Sequence, residues 1–464
     1  MSQASRLAAQ LLAMLILARL LHPSDFGLLA MAAVITGFAG LFRDLGTAAA
    51  IIQKSEPSPQ LLDSVFWLNV IFGVGLTMII GLLAPLIAYG FAEPRLKEVL
   101  WLLMLTLPIV SLGAVHQALL EKASRFRPLA LIESAAAFLG LLAAIGAALA
   151  GWGVFSLILQ TLLMAFITTV GLWIVSRWRP DFCCDTREIR GVMVFSGNLV
   201  GFNVFNYFIR NADNLLIGRF LGATELGYYS VAYRLMLWPL QNISSVVGRA
   251  LFPALSSMQT DRIRLASAYI RATAAIVLIT APLMFGFFVL REPLVAATLG
   301  EHWQPVVNVL AWLVPVGLLQ SLGTTVGSLY LATGRTDVMF RWSIAAGLLV
   351  IPAFAIGLQW GITGVAASYG AASLLLFWPS LAIPFRLVDL RVGSVLVTLM
   401  PTLVSAAVMA LVVAVFAAAW PGNTDGQWLR LTLLVAVGMV TYGGLSLITQ
   451  RNLLKDLARV AFGK

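Results

Sequence analysis

The sequence predicts an all-α polytopic membrane protein of about fourteen transmembrane helices, arranged as two pseudo-symmetric six-helix lobes plus two C-terminal helices. Three observations predict this fold class: the composition, a series of apolar segments and an internal repeat. Of the 464 residues, 60% are hydrophobic and 11% are charged, whereas a soluble domain carries about 25% charged residues. No cleavable signal peptide is recognisable, and the first apolar segment is expected to be retained as a helix.

Fourteen apolar segments are long enough to cross a bilayer core, which needs roughly 20 apolar residues per helix. Prolines inside them, such as Pro85, Pro108 and Pro282, predict bent helices, because proline lacks the N–H that bonds the carbonyl four residues earlier. Neighbouring helices must then satisfy the freed carbonyl, and both packing and hinge roles are open. The predicted spans are 4–21, 27–52, 61–90, 98–118, 128–150, 153–176, 191–220, 224–252, 266–290, 305–332, 338–358, 361–385, 393–419 and 427–449.

The distribution of basic residues predicts the orientation of the chain. With the N-terminus placed in the cytoplasm, 19 lysines and arginines fall in inside loops and 5 in outside loops. Cytoplasmic loops carry such an excess, so both termini are predicted to be cytoplasmic. Topology therefore explains the net charge of +10 without a nucleic-acid partner. Five aromatic residues at span ends are predicted to anchor helices at the membrane interface: Trp178, Tyr228, Tyr229, Trp303 and Trp428.

An internal repeat is visible at an offset of 200 residues. The segment LILARLLHPSDFGLLAMA (15–32) aligns with LLIGRFLGATELGYYSVA (215–232). The copies lie six spans apart, which is an even number, so both should have the same orientation in the membrane. This predicts parallel lobes related by an axis along the membrane normal, with a site between them. The residues that recur are Leu15, Arg19, Leu21, Gly27 and Ala32, as Leu215, Arg219, Leu221, Gly227 and Ala232.

Four regions follow from the repeat and from the loop composition. Residues 1–176 are predicted to form the N-lobe with six helices, and residues 177–190 a cytoplasmic linker. Residues 191–386 are predicted to form the C-lobe, and residues 387–464 two additional helices with a cytoplasmic tail.

A stripe of polar residues within an apolar helix marks the candidate substrate site. At about 100° per helical residue, its five members fall within an arc of roughly 100°. Arg210 lies twelve residues before Gly222, which at about 1.5 Å per residue places it roughly 18 Å from the turn, near the middle of the bilayer. Charges at that depth mark a pathway or a binding site by default. The stripe consists of Asn203, Asn206, Arg210, Asp213 and Asn214.

A second stripe follows the turn and consists of Ser230, Arg234, Trp238, Gln241, Ser245 and Arg249. The amides of Gln241 and Asn242 are expected to match Asn203 and Asn206 in depth. Arg234 lies twelve residues after Gly222, so the two arginines are predicted to have equal depth. Guanidinium groups bind phosphate or carboxylate through two hydrogen bonds. The alternative for Arg210 is an internal ion pair with Asp213. The amides suit sugar hydroxyls, although amides also join helices to one another.

Arg43 and Asp44 form a further charged pair, for which a structural salt bridge and a substrate contact are both open. No metal site and no cofactor are predicted, because the two cysteines, Cys183 and Cys184, are adjacent and the three histidines are scattered. No GxxxxGK[ST] loop is present, so the chain itself does not hydrolyse ATP for transport. No long outside loop offers room for catalytic groups, which argues against an enzyme.

At these residues the chain resembles a known family, the bacterial polysaccharide flippases of the MOP superfamily, of the Wzx type and most closely its WzxC, or colanic acid exporter-like, branch. The similarity covers nearly the whole chain. The segments that carry it are ARLLHPSDFGLLAMA (18–32), FRDLGTAAAIIQK (42–54), VFWLN (65–69), NADNLLIGRFLGATELGYYSVAYR (211–234), PLQNIS (239–244), LFPALS (251–256) and ATGRTD (332–337).

This resemblance implies that the chain translocates undecaprenyl-diphosphate-linked oligosaccharide from the cytoplasmic to the periplasmic leaflet of the inner membrane. Exopolysaccharide, capsule or O-antigen biosynthesis would use the product. Alternating access driven by an ion gradient is implied, with membrane lipid and the polysaccharide polymerase machinery as partners. Two alternatives are an ion-coupled exporter of small molecules from the same superfamily and, in another class, a membrane-embedded polysaccharide polymerase or ligase.

Overall fold

The computed structural model describes residues 14–44, 51–52, 57–182, 204–258, 261–420, 427–451 and 453. Within these ranges the regular secondary structure is helical throughout. Ten stretches of the described chain are long and apolar enough to cross a membrane, and three of them, Leu96–Lys122, Pro305–Ala332 and Thr336–Arg386, consist of two helices each. The prediction of an all-α, multi-pass membrane protein is therefore confirmed, while the number of fourteen spans stays a prediction.

Sixteen α-helices follow one another in the described residues. Short 3-10 turns precede α11 and α14. The helices are α1 (14–20), α2 (Pro23–Asp44), α3 (Pro59–Phe91), α4 (Leu96–Leu103), α5 (Thr106–Lys122), α6 (Phe126–Leu149), α7 (Val154–Val175), α8 (204–220), α9 (Gly222–Ser257), α10 (Arg262–Thr298), α11 (Pro305–Gly323), α12 (Val326–Ala332), α13 (Thr336–Gly357), α14 (Gly361–Arg386), α15 (Val392–Ala419) and α16 (Gln427–Thr449).

Two of the three longest helices, α3 and α10, begin with side-chain caps. The Ser58 hydroxyl accepts a hydrogen bond from the Leu61 backbone N–H at 3.2 Å, and Pro59 occupies the first helical position of α3. The Asp261 carboxylate accepts from the Arg264 backbone N–H at 3.1 Å at the start of α10. These caps satisfy donors that the first turn of a helix leaves unpaired. Both helix starts are thus encoded locally in the sequence.

Two of the predicted spans are each divided into two helices. Span 98–118 is interrupted between α4 and α5, where Pro108 cannot donate to the carbonyl of Met104. The Thr77 hydroxyl donates to that carbonyl instead, at 3.0 Å. Span 305–332 is interrupted at residues 324–325 between α11 and α12. Each span is still long and apolar enough to cross a membrane, but a short turn divides it into two helices.

A proline within α3 and another within α10 each leave one backbone carbonyl without its helical N–H donor. Pro85 frees the carbonyl of Gly81, and the Trp101 indole N–H donates to it at 2.9 Å. Pro282 frees the carbonyl of Leu278, and the Tyr442 hydroxyl donates to it at 2.7 Å. The prediction that neighbouring helices satisfy the freed carbonyls is confirmed at these positions.

The chain divides into two compact units, residues 1–227 and residues 228–464. In the first unit, Val65 of α3 and Val115 of α5 belong to one buried apolar cluster. In the second unit, Leu265, Val277 and Leu399 belong to a large cluster that joins α10 to α15. The predicted domain limits at 176, 190 and 386 stay predictions.

The interfacial role predicted for aromatic residues at span ends is wrong for two of them. Trp303 and Tyr229 are fully buried within their unit. The Trp303 ring lies in the 3-10 turn before α11 and contacts the Tyr228 ring edge-on, with centroids 5.7 Å apart. An aromatic ring offers a large apolar area, so its burial in the core competes with a place at the interface. Trp428 is 56% exposed, as an interfacial residue should be.

Candidate functional site

Helix α8 is fixed against α2 within the first unit. The Tyr207 hydroxyl donates to the Val34 carbonyl at 2.8 Å, and the Phe38 ring contacts the Phe208 ring with centroids 5.1 Å apart. Farther along, the first turn of α9 meets α2 at Gly27. Since Tyr207 precedes the α8–α9 turn and Gly27 precedes Val34, α8 and α2 lie antiparallel. The helix that carries Arg210 is thereby anchored at both ends.

The two copies of the repeat meet through a reciprocal backbone contact. A Cβ atom at Gly27 would overlap the carbonyl oxygen of Ala223, and a Cβ atom at Gly227 would overlap the carbonyl oxygen of Pro23. Each residue of one contact lies 200 positions from its counterpart in the other. Gly27 meets Ala223 in the same way as Gly227 meets Pro23. Such a reciprocal contact between equivalent positions is isologous, as expected for two segments related by a two-fold axis. This contact is called the glycine corner below.

A side-chain cap and a glycine form the two turns that flank the glycine corner. The Asp25 carboxylate accepts a hydrogen bond from the His22 backbone N–H at 3.1 Å, before the first turn of α2. In the second copy, Gly222 adopts a φ of +87° between α8 and α9, a conformation that favours glycine. The Asp25 side chain thus caps the N-terminus of α2.

The polar stripe on α8 contains both exposed and buried side chains. Arg210 is exposed, whereas Asp213 is only 3% exposed and its Oδ1 accepts from the Asn214 backbone N–H at 2.7 Å. Within the described ranges no ion pair joins Arg210 to Asp213, so the internal pair considered for Arg210 is not formed. Asn206 and Asn214 are half-buried, and Asn203 lies outside the described residues.

The stripe on α9 has the same mixed character. Arg234 and Gln241 are exposed, while the neighbouring residues Leu235 and Met236 are buried in the second unit. Asn242 is half-buried, and its amide donates to the Trp238 carbonyl at 2.7 Å. Arg234 and Gln241 can therefore meet a ligand, whereas the amide of Asn242 already bonds its own helix.

Arginines in the loops differ from Arg210 and Arg234. Arg95 pairs with Glu93 at 3.0 Å, Arg262 with Asp389 at 2.8 Å, and Arg335 with Asp337 at 3.0 Å. The hydrogen bond that Arg95 donates to the Glu93 carboxylate raises the pKa of Arg95. In the part of the chain that the structure describes, neither Arg210 nor Arg234 has such a carboxylate partner. The two arginines expected deep in the membrane thus lack an ion pair, whereas these three arginines at or near helix ends have one.

The remaining candidates are less fully described. Arg43 is half-buried in the last turn of α2, and the side chain of Asp44 lies outside the described residues. Cys183 and Cys184 lie outside them as well. Among described residues, no group of three His, Cys, Asp or Glu side chains could hold a metal ion.

Sequence reasoning missed an aromatic cluster that holds the start of the predicted linker. His116 is fully buried, with its ring 4.7 Å from the Trp173 ring and 5.1 Å from the Trp178 ring. The Trp67 indole donates to the Asp181 carbonyl at 2.9 Å, and the Asp63 carboxylate accepts from the Asp181 backbone N–H at 3.1 Å. Up to 118 positions separate these partners in the chain, so no local sequence pattern announces the cluster.

Comparison with known proteins adds independent evidence. A family model described as "Polysaccharide biosynthesis protein" matches residues 16–308. The chain is 30% identical over 362 residues to the lipopolysaccharide biosynthesis protein WzxC of Escherichia coli K12, covering 77% of this chain and 74% of that protein. It is 28% identical over 462 residues to the succinoglycan biosynthesis transport protein ExoT of Rhizobium meliloti, covering 96% and 90%.

Solved structures show the same fold at low sequence identity. The lipid II flippase MurJ, in an inward closed conformation, matches with a TM-score of 0.79 and 15% identity, covering 98% of both chains. An inward-facing multidrug MATE transporter of the MOP superfamily matches with a TM-score of 0.64 and 18% identity, covering 82% of this chain and 95% of that one. The predicted resemblance to the polysaccharide flippases of the MOP superfamily is confirmed, and the chain belongs to the polysaccharide biosynthesis protein family.

Proposed function

We propose that this protein is a flippase that moves undecaprenyl-diphosphate-linked oligosaccharide from the cytoplasmic to the periplasmic leaflet of the inner membrane. Its relatives are named as proteins of polysaccharide biosynthesis and transport, which supports a role in polysaccharide transport. The fold is similar to that of a lipid II flippase. The oligosaccharide would then pass to the polysaccharide polymerase machinery for exopolysaccharide, capsule or O-antigen synthesis. The protein itself catalyses no covalent step in this proposal.

The observation that carries the proposal is that the Arg210 and Arg234 side chains are accessible and unpaired with carboxylates in the described part of the chain. Both side chains are exposed, and within the described residues neither is paired with a carboxylate. An unpaired charge at the membrane depth predicted for these residues is expensive, so such residues are retained where a ligand supplies the opposite charge. A diphosphate offers the oxygen geometry that two guanidinium groups bind through paired hydrogen bonds.

The other polar residues of the two stripes have roles that fit a sugar. Asn206, Asn214 and Gln241 can exchange hydrogen bonds with hydroxyl groups as donors and as acceptors. Arg43 and Asp44 would contact the substrate nearer the cytoplasm. Transport would proceed by alternating access between the predicted lobes and would be driven by an ion gradient. The glycine corner would close one side of the membrane during this cycle.

Substitution of the two arginines tests the proposal. Arg210→Ala and Arg234→Ala should each abolish polymer export while the amount of protein in the membrane stays normal, since no ion pair is broken. Arg210→Lys should restore only part of the export, because one ammonium cannot reproduce the two-pronged bond. The measurement is polymer export in a strain lacking the native gene, together with membrane protein level.

Arg219→Ala is the matched control, because Arg219 is an exposed arginine of the same helix that contacts only the Phe220 ring in cation–π fashion. Export by this variant should stay near wild type. Normal export by Arg210→Ala would remove this residue from the substrate site. Loss of export by Arg219→Ala alone would place the anion site at the end of α8.

The proposed orientation has a test of its own. Reporter fusions after Arg190 and after Gln304 should report opposite sides of the membrane, with Arg190 cytoplasmic, because 19 basic residues fall in the inside loops against 5 outside. Reporters that indicate the same side for both fusions would contradict the predicted topology.

A further inference from the structure

A polar cavity of about 320 Å³ lies at one end of α10, α15 and α16, within the second unit. It lies apart from the two polar stripes, and no step of the proposed transport uses it. Two arginines, a glutamine and several threonines supply its polar surface. These residues are Arg271, Thr398, Thr402, Thr449, Gln450 and Arg451.

Gln450 shows that the cavity is incomplete without a ligand. Its side chain is 7% exposed, yet neither its amide nitrogen nor its amide oxygen makes a hydrogen bond of good geometry with a described residue, since the neighbouring Tyr442 hydroxyl donates to the Leu278 carbonyl. A buried polar group left unpaired costs about 1–3 kcal/mol. One turn earlier, the buried Ser446 hydroxyl also lacks a partner in that part of the chain. Buried polar groups are nearly always bonded, so such a pair calls for an explanation.

The arginines indicate the charge of the missing ligand. Arg271 and Arg451 both line the cavity and are exposed, and no carboxylate in the described ranges is paired with either. Arg271 lies near the start of α10 and Arg451 just after the end of α16, so both belong at the level of lipid headgroups. Basic pockets between helices at that level bind anionic lipid headgroups.

An apolar groove continues along the same three helices. It has a volume of about 520 Å³ and is lined by residues such as Pro282, Met409 and Gly438. Pro282 lies eleven residues beyond Arg271 on α10, which corresponds to about 16 Å along the helix. A charged cavity at the membrane surface followed by an apolar groove fits a molecule with an anionic head and a hydrocarbon chain.

We propose that the cavity binds the phosphate group of a membrane lipid, with Arg271 and Arg451 on its oxygens and Gln450 donating through its amide. The lipid chain lies along the groove. The site holds α15 and α16 against α10 and is separate from the arginines proposed to bind the transported substrate. Its existence does not depend on the proposed function.

Lipid binding can be measured by native mass spectrometry of the full chain purified in detergent, with phosphatidylglycerol added. The variant Arg271→Ala/Arg451→Ala should lose affinity at its tightest site, by about tenfold for each arginine. Arg341→Ala is the matched control, because Arg341 is an exposed arginine of the same unit that lies outside the cavity. Its affinity should stay within twofold of wild type. Equal affinity in the double variant and in wild type would overturn the proposal.

Gln450→Leu separates a ligand site from a structural defect. Without lipid, this variant should unfold at the same temperature as wild type or higher, because it removes an unpaired buried amide. With phosphatidylglycerol, it should gain less thermal stability than wild type. A lower unfolding temperature without lipid, combined with a full gain on adding lipid, would show that the amide has a structural role and would overturn its assignment to the ligand.

Three ligands distinguish the source of the phosphate. Phosphatidylglycerol and undecaprenyl phosphate share the headgroup chemistry and differ in their chains, so the one that binds tighter identifies the natural class. Inorganic phosphate supplies the charge without a chain and should bind at least tenfold more weakly. Stabilisation by inorganic phosphate equal to that by either lipid would exclude a lipid site.

Discussion

The two copies of the internal repeat share a backbone contact and differ in their chemistry. At the glycine corner, Gly27 and Gly227 play the same part, and each allows a carbonyl of the other copy to approach. The position 200 residues before Arg210 is Gln10, and the position 200 residues before Arg234 is Val34. Val34 is a buried core residue, 3% exposed. The repeat therefore preserved close helix packing, whereas the two arginines predicted to lie deep in the membrane flank only its second copy.

The same distinction holds farther along the chain. Helices α3 and α10 are the long helices of the two units, and each has a proline that frees one carbonyl. Trp101, from the next helix, satisfies the carbonyl in the first unit. Tyr442, from the last described helix, does so in the second unit. A shared backbone constraint is thus met by different side chains, and the donor in the second unit comes from the C-terminal helices that lie beyond the repeat.

The largest expected effect comes from the glycine corner. Gly27→Ala or Gly227→Ala inserts a Cβ atom where a carbonyl oxygen lies. Overpacking of this kind costs about 1–3 kcal/mol, which shifts a two-state equilibrium by roughly five- to hundredfold. Export should fall by a comparable factor, and by similar factors for the two variants, because the contact is reciprocal. The measurement is polymer export normalised to membrane protein level.

Gly40→Ala is the matched control, since Gly40 lies in the same helix as Gly27 and a Cβ atom there meets nothing within 4 Å. The double variant Gly27→Ala/Gly227→Ala should be little worse than either single variant, because one Cβ atom already separates the corner. Export by Gly27→Ala equal to that of Gly40→Ala would show that the closed corner is not needed for transport.

Much of the fold can be predicted from local sequence features. Apolar segment length predicts helices that the structure contains, and the caps at Ser58 and Asp261, found in the structure, are local features as well. The repeat aligns Gly27 with Gly227, and these residues meet in space. The break at residues 324–325 was not predicted, because apolar composition alone does not distinguish one helix from two short ones.

The candidate site was predicted less completely. Helical spacing placed Arg210 and Asp213 in one stripe, yet one is exposed and the other buried. Which side of a polar stripe faces a neighbour depends on packing against α2, and the Tyr207 hydroxyl bond to Val34 shows that contact. The cavity at Gln450 combines residues 180 positions apart, from Arg271 to Arg451, so no local motif could reveal it.

A smaller effect is expected where the two units satisfy their freed carbonyls. Trp101→Phe and Tyr442→Phe each remove one donor and leave a carbonyl unbonded in an apolar setting. Each should lower the free energy of unfolding by about 1–2 kcal/mol, as measured by denaturant titration of the purified protein. The losses should add in the double variant, because the two bonds lie in different units. Losses far below this range in both variants would mean that water or lipid headgroups reach these carbonyls.

The smallest effect, and the sharpest test of the comparison, comes from removing the proline itself. Pro282→Ala restores an N–H that can bond the Leu278 carbonyl within α10, so Tyr442 is no longer its sole donor. Tyr442→Phe should then cost less than about half of what it costs beside Pro282, while Trp101→Phe should cost the same in both backgrounds. The difference is a coupling energy on the order of 0.5–1 kcal/mol, read from a double-mutant cycle. An equal cost of Tyr442→Phe in both backgrounds would show that the hydroxyl stabilises α16 independently of the proline. In that case the hydrogen bonds to the Gly81 and Leu278 carbonyls would not share the role of replacing a donor that a proline removes.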